Sequence, residues 1–75
     1  MKDKIKNIIC DILNIKKSAL TENSGIETIK QWDSLKHMQI ITAIEEEYKI
    51  QFSEEDLIKS NNLKKIINSI KKYKN

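Results

Sequence analysis

The chain has no proline, one glycine and one cysteine in 75 residues, and all fourteen of its basic residues are lysine. Proline and glycine build tight turns, so their scarcity favours helices over hairpins. One cysteine cannot close an internal disulfide, and no Cys/His set has zinc spacing. The lack of arginine argues against nucleic acid, because arginine makes the bidentate contacts to phosphate and guanine. Apolar runs are two or three residues long, so no membrane insertion is expected. Asp11 and Asn14 interrupt the stretch in which a signal peptide would need a continuous apolar core. With a lone cysteine, this points to a reduced, cytoplasmic setting. No acid/base pair, metal set or phosphate loop stands out, and an enzyme is not expected.

What is present is isoleucine, lysine and an uneven charge map. Fifteen isoleucines and seven asparagines accompany the lysines. That bias reads as an AT-rich coding sequence, and the lysine excess as solvated surface. The net charge of +3 divides into +3 over residues 1–17, −6 over 18–58 and +6 over 59–75. The acids therefore lie in the middle and the bases at the ends. A chain this short is expected to form one domain, residues 1–75, with a net stability of about 3–5 kcal/mol drawn from helix packing.

The periodicity predicts four helices. The first spans about Asp3 to Ile15, with Ile5, Ile8, Ile9, Ile12 and Ile15 as its apolar stripe. Cys10 falls away from that stripe on a helical wheel and is expected at the surface. Residues 18–33 lack a clean period and read as a long loop, pinned by Leu20, Ile26, Ile29 and Trp32. A one-turn helix around Ile26–Ile29 fits the same residues. Loops of this length in small domains tend to be functional.

The second helix begins behind Asp33 as N-cap and runs to Tyr48 or Lys49. His37, Ile40, Ile41, Ile44 and Tyr48 share its core face, while Leu35, Met38 and Thr42 lie to one side. Ser53-Glu54-Glu55-Asp56 has the form of a capping box and predicts a short third helix over 54–59. Asn61 or Asn62 caps a fourth helix carrying Leu63, Ile66, Ile67, Ile70 and Tyr73.

Ser34 is the candidate reactive residue. It stands in the first turn of the second helix, where backbone N–H groups and the positive end of the helix dipole favour an attached phosphate. Its bland reading is an ordinary residue behind an Asp cap. His37, one turn on, is expected to pack beside Trp32 rather than to act chemically. Glu45, Glu46 and Glu47 read equally as a solvated face or as a dock for a basic partner.

At this point the chain resembles the acyl carrier protein family along essentially its whole length. The matching elements are Asp33-Ser34-Leu35, Ile40-Ile41, Ala43-Ile44-Glu45-Glu46-Glu47-Tyr48, Ile50, Ser53-Glu54-Glu55-Asp56 and Leu63. The resemblance implies an all-α, small four-helix bundle with a long first loop and a short third helix. It implies that Ser34 receives 4′-phosphopantetheine from coenzyme A through a magnesium-dependent phosphopantetheinyl transferase. An acyl group then rides on the arm as a thioester, and the space between helices two and three could shelter it. Asp33, Leu35, Met38, Thr42 and Glu46 match positions that partner enzymes read. Lys36 departs from the pattern: fatty-acid carriers are acidic from the first turn of this helix. Gln31-Trp32 also replaces the Gly-Ala pair common there. Trp32 in that place, with His37 three residues after the serine, is more similar to stand-alone carriers of specialised pathways, such as surface polysaccharide or secondary-metabolite synthesis.

The expected partners are therefore the transferase and acyl-transferring or ligase enzymes, with the carrier itself a monomer. Two alternatives stay open: an aminoacyl or peptidyl carrier, and a small helical interaction or nucleic-acid-binding module.

Overall fold

A computed structural model describes residues 2–74, and among these it has four α-helices and no strand longer than a single bridge. They are α1 (Lys2–Leu13), α2 (Ser34–Tyr48), α3 (Glu54–Lys59) and α4 (Leu63–Lys74), with a 3₁₀ turn at Lys17–Ala19. The all-α bundle with a long first loop and short third helix is as expected. The alternative one-turn helix at Ile26–Ile29 is instead a hydrogen-bonded turn, in which Gly25 carbonyl accepts from the Thr28 and Ile29 amides.

The first helix stops two residues earlier than its apolar period. Asn14 adopts a left-handed conformation (φ 56°), and the Ile15 amide turns back to the Cys10 carbonyl. This is a C-terminal capping arrangement, and Asn tolerates it better than most residues. Ile15 still packs against the core from beyond the helix end. The second helix ends the same way at Lys49 (φ 55°), whose amide and that of Ile50 both reach the Glu45 carbonyl.

The core stripe of α1 differs from the expected one. Ile5, Ile9, Cys10 and Leu13 are buried, while Ile8 and Ile12 are only partly covered. Cys10 is 6% exposed, which corrects its expected place at the surface. The physical reason is that α1 packs against both α2 and α4. Its buried arc is therefore wider than one stripe and rotated toward Cys10 and Leu13. Burial also pushes the Cys10 thiol up from its ordinary pKa, so it is a core side chain with little thiolate character.

The long loop closes on the start of α4. Leu63 and Lys64 amides, unpaired within their own helix, donate to the carbonyls of Ser24 and Glu22, and Ile26 amide donates to the Asn61 carbonyl. Asn62 is the N-cap, its side chain accepting from the Lys65 amide at 2.8 Å. This crossing accounts for the single glycine. A Cβ on Gly25 would stand 2.2 Å from the Asn61 carbonyl oxygen, so only glycine permits the approach.

Candidate functional site

Ser34 is the first residue of α2 and is exposed. Asp33 before it is extended, and its carboxylate accepts the Lys36 amide at 2.9 Å. The Asp33 carbonyl accepts the His37 amide at 2.8 Å and starts the helical ladder. Ser34 and Leu35 amides find no partner among the described residues. Two N–H groups and the positive helix end thus stand beside the Ser34 hydroxyl, an arrangement suited to a phosphodiester on that oxygen.

The residues around Ser34 are held by a buried polar contact. Trp32, just ahead of the cap, is fully buried, and its indole Nε1–H donates to His37 Nδ1 at 3.0 Å. The rings are 6.0 Å apart and tilted. Because Nδ1 accepts, the neutral ring carries its proton on Nε2, where a hydrogen bond to the Leu57 backbone is available. Burial pushes the His37 pKa below its ordinary value, and the Leu57 contact opposes this only in part. His37 packs beside Trp32 as the sequence implied, and its ring also lies near the Leu57 backbone of α3.

A shallow cleft of 290 Å³ opens next to Ser34 between α2 and α3, with Ile26, His37, Met38, Leu57, Ile58 and Asn61 around it. Among the described residues three large apolar side chains face solvent: Leu35 at 68%, Met38 at 47% and Ile58 at 74% exposure. Leu35 sits on the first turn with Asp33 and Lys36. Thr42 and Glu46 lie exposed one and two turns further along the Met38 row. Met38 and Ile58 share the cleft with Ser34, whereas Thr42 and Glu46 do not reach it. Ile58 was not singled out from sequence. Its signal was available, because Leu57 and Ile58 are adjacent on a one-and-a-half-turn helix and cannot both face inward.

The acidic run at the end of α2 divides three ways. Glu45 turns back, and its carboxylate accepts the Phe52 amide at 2.8 Å. Glu47 pairs with Lys4 at 2.9 Å. Glu46 alone of the three is exposed with no partner among the described residues. Glu46 and Glu47 are both exposed and fit the solvated-face reading, whereas Glu45 does not.

The short helix α3 is tied to α4 by a relay through Tyr73. Ser53 Oγ accepts the Asp56 amide at 3.1 Å, the first half of the expected capping box. In place of the reciprocal half, the Ser53 amide donates to the Tyr73 hydroxyl at 2.8 Å, which donates to Asp56 Oδ2 at 2.6 Å. The Tyr73 hydroxyl, then Lys72 at 3.1 Å, holds the Asp56 carboxyl below the usual range. The sequence presented Tyr73 only as an apolar position.

Comparison with known proteins agrees with this architecture. A family model described as the phosphopantetheine attachment site matches residues 3–70. The acyl carrier protein of Buchnera aphidicola subsp. Schizaphis graminum is 43% identical over 67 residues, covering 89% of this chain and 85% of its own. Polyketide-8 synthase acyl carrier protein 1 of Streptomyces avermitilis is 36% identical, covering 83% and 74%. The solution structure of holo acyl carrier protein from Geobacter metallireducens superposes with a TM-score of 0.84 at 29% identity, over 96% of this chain and 83% of that one. The chain belongs to the acyl carrier protein family, whose members hold covalently attached phosphopantetheine and present cargo without catalysing its chemistry.

Among the described residues no group of His, Cys, Asp and Glu could hold a metal ion, and no helix is long and apolar enough to cross a membrane.

Proposed function

We propose that Ser34 is the attachment residue, and that the chain serves a dedicated biosynthetic pathway rather than general fatty-acid synthesis. The observation that carries the first part is the exposed Ser34 hydroxyl beside two unpaired amides at the start of a 15-residue helix. The arm supplies a thiol that carries acyl cargo as a thioester. The chain's own residues do the rest. The Ser34 and Leu35 amides receive the phosphodiester charge, Asp33 caps the turn that aims them, and Trp32 with His37 fixes that turn against the core. A phosphopantetheinyl transferase and acyl-loading enzymes would read Asp33, Leu35, Lys36, Met38, Thr42 and Glu46.

Intact mass after incubation with coenzyme A and a broad-specificity transferase tests the attachment. One phosphopantetheine is expected on the native chain and none on Ser34→Ala. Modification of the alanine variant, or none of the native chain with several transferases, overturns the assignment.

The second part rests on Lys36. It brings a cation to the first turn of α2 with no ion-pair partner among the described residues, and like charges brought together at an interface are penalised. Partners that present arginines there are disfavoured. The polyketide carrier among the relatives is consistent with a pathway of this kind. Loading by a housekeeping fatty-acid acyltransferase is expected to be slow and to improve with Lys36→Glu. The gain should shrink as salt rises, since screening lengths are about 10 Å at 0.1 M. Equal rates for native and variant would remove the support for a dedicated pathway.

A further inference from the structure

The two basic ends of the chain meet along one groove. It measures about 330 Å³ and is lined by Lys2 of α1, Glu22 of the long loop, and Lys64, Ile67, Asn68 and Lys71 of α4. It shares no residue with the cleft beside Ser34, and none of α2 or α3 lines it. Three lysines thus face one carboxylate. That carboxylate is already taken: Lys2 pairs with Glu22 and holds it below its ordinary range, with Lys64 and Lys6 adding to the effect. Lys64 and Lys71 have no ion-pair partner among the described residues. Two other lysines of α4 are occupied, Lys72 by Asp56 and Lys74 by the Tyr48 carbonyl.

The order of groups along the groove narrows what fits it. Lys64 and Lys71 stand two helical turns apart, about 10 Å along the axis. Ile67 and Asn68 lie midway between them. Ile67 is 7% exposed, so the apolar contact is recessed between two cations. An extended polypeptide reproduces this order when alternate residues are acidic, apolar and acidic. Its side chains at i, i+2 and i+4 share one face, about 7 Å apart. The long lysine stems close the remaining difference while keeping their charges at the rim.

A bilayer and a nucleic acid fit less well. The large apolar side chains exposed among the described residues, Leu35, Met38 and Ile58, belong to α2 and α3, so this face has no wedge for a membrane. A flat surface also does not reach the recessed Ile67. No aromatic side chain lines the groove for a base to stack on.

We infer that the groove between α1 and α4 docks an extended acidic segment of a partner protein, with an apolar residue between two carboxylates. Lys64 and Lys71 take the carboxylates, and Ile67 receives the apolar side chain. A partner held here leaves the Ser34 cleft open. The inference does not depend on Ser34 carrying the arm, and the unmodified chain serves for the test.

The probe is the end-capped peptide Glu-Ser-Leu-Ser-Glu, titrated at low salt into ¹⁵N-labelled protein. Saturable amide shifts are expected at Lys64, Ile67, Asn68 and Lys71, with Ser34 and Met38 unmoved. Affinity should fall about fivefold when both glutamates of the probe become glutamine, and as much in the double variant Lys64→Gln, Lys71→Gln. A serine in place of the leucine should also weaken binding, because nothing then covers Ile67. Glu22→Gln should tighten it by releasing Lys2. The peptide series on the native protein decides the matter whether or not a variant folds. Absence of saturable shifts, or equal affinity for the glutamate and glutamine peptides, would overturn the inference. So would tighter binding of phosphatidylglycerol vesicles or oligothymidylate at the same amides, which would give the groove to a membrane or to nucleic acid. Concentration-dependent shifts there without peptide would give it to a second copy of this chain and overturn the inference equally.

Discussion

α1, α2 and α4 each bury four side chains, whereas none of the six residues of α3 is buried. α1, α2 and α4 meet through isoleucine and leucine at or near zero exposure. The short helix α3 is held by the partly buried Leu57 on the core and by polar contacts: Tyr73 and Lys72 on Asp56, and Ser69 on Ser60 at 2.7 Å just beyond its end. Hydrogen bonds of this kind each contribute about 0.5–1.5 kcal/mol, whereas burying one Ile side chain contributes roughly 1.5–3 kcal/mol. Stability therefore lies on one side of the molecule and adjustability on the other. The candidate site sits at the seam, with Ser34 on the anchored helix and Ile58 on the lightly held one.

The difference is largest when equivalent residues are removed from the two sides. Ile44→Ala empties a fully buried position in α2 and should cost about 2–4 kcal/mol. Ile58→Ala removes the same side chain from α3 at 74% exposure and should change stability by less than about 0.5 kcal/mol. Urea titration of both variants measures the contrast. A small cost at Ile44, or a large one at Ile58, would erase the division between the helices.

The anchored side was the more legible one in the sequence. Asp33 and Ser53 marked the starts of α2 and α3, because a capping side chain acts on amides two or three residues away. The core face of α2 followed from its period, with His37, Ile40, Ile41 and Ile44 buried. The wide arc of α1 did not, because which residues flank a stripe depends on how many helices cover it. Cys10 and Leu13 were lost for that reason. Gly25 read only as a turn residue, since its need comes from Asn61, far along the chain. Around the site, Ser34, Leu35 and Met38 were readable from the local pattern. The Trp32–His37 bond, the Tyr73 relay and the separate fates of Glu45 and Glu47 all join distant elements, and single-helix periodicity carries no such information.

The histidine seam should respond to pH. Burial lowers the folded-state pKa of His37 below its ordinary 6.5, so the unfolded chain binds a proton more readily. Its contribution is complete above about 6.5 and is lost as pH falls from there through the lower folded value. Protonation also makes Nδ1 a donor and breaks the bond from Trp32. His37 is the only histidine, and the Asp56 and Glu55 carboxyls are held below their ordinary range by Tyr73 with Lys72 and by Lys59 respectively. Urea midpoints should thus fall between pH 7 and pH 5 in the native protein and stay flat in His37→Gln. A native midpoint independent of pH over that range would mean that the ring is not held neutral by burial.

A smaller effect is expected from the relay. Tyr73→Phe keeps the ring against Phe52, 5.6 Å away, and removes only the hydroxyl shared by the Ser53 amide and Asp56. Global stability should drop by about 1 kcal/mol. Amide hydrogen exchange in the native protein should already be faster at Leu57 and Ser60, whose amides close the α3 ladder, than at Ile9, Ile44 and Ile66, and that order should persist in the variant. Equal protection of α3 and the core in both proteins would show that α3 unfolds with the core and is no separate unit.

The smallest change should run in the opposite direction. Lys49 ends α2 with a φ of 55°, a conformation that costs a side-chain-bearing residue roughly 1–2 kcal/mol relative to glycine. Its side chain is exposed and has no ion-pair partner among the described residues, so little is lost with it. Glycine also gives the unfolded chain more freedom, which returns about 0.4–1 kcal/mol of the gain. Lys49→Gly should therefore stabilise the protein by about 0.5 kcal/mol, and Asn14→Gly by less, because Asn accepts the same conformation more readily. Lys49 also begins the five-residue connection from α2 to α3, in which Ile50 packs on the core and the Phe52 amide is held by Glu45. If that anchoring isolates α3 from the helix end, the gain will appear in the global urea midpoint with α3 exchange unchanged. Slower or faster exchange confined to α3 in Lys49→Gly would show that the turn, and not only the polar contacts, governs how freely the wall of the cleft moves.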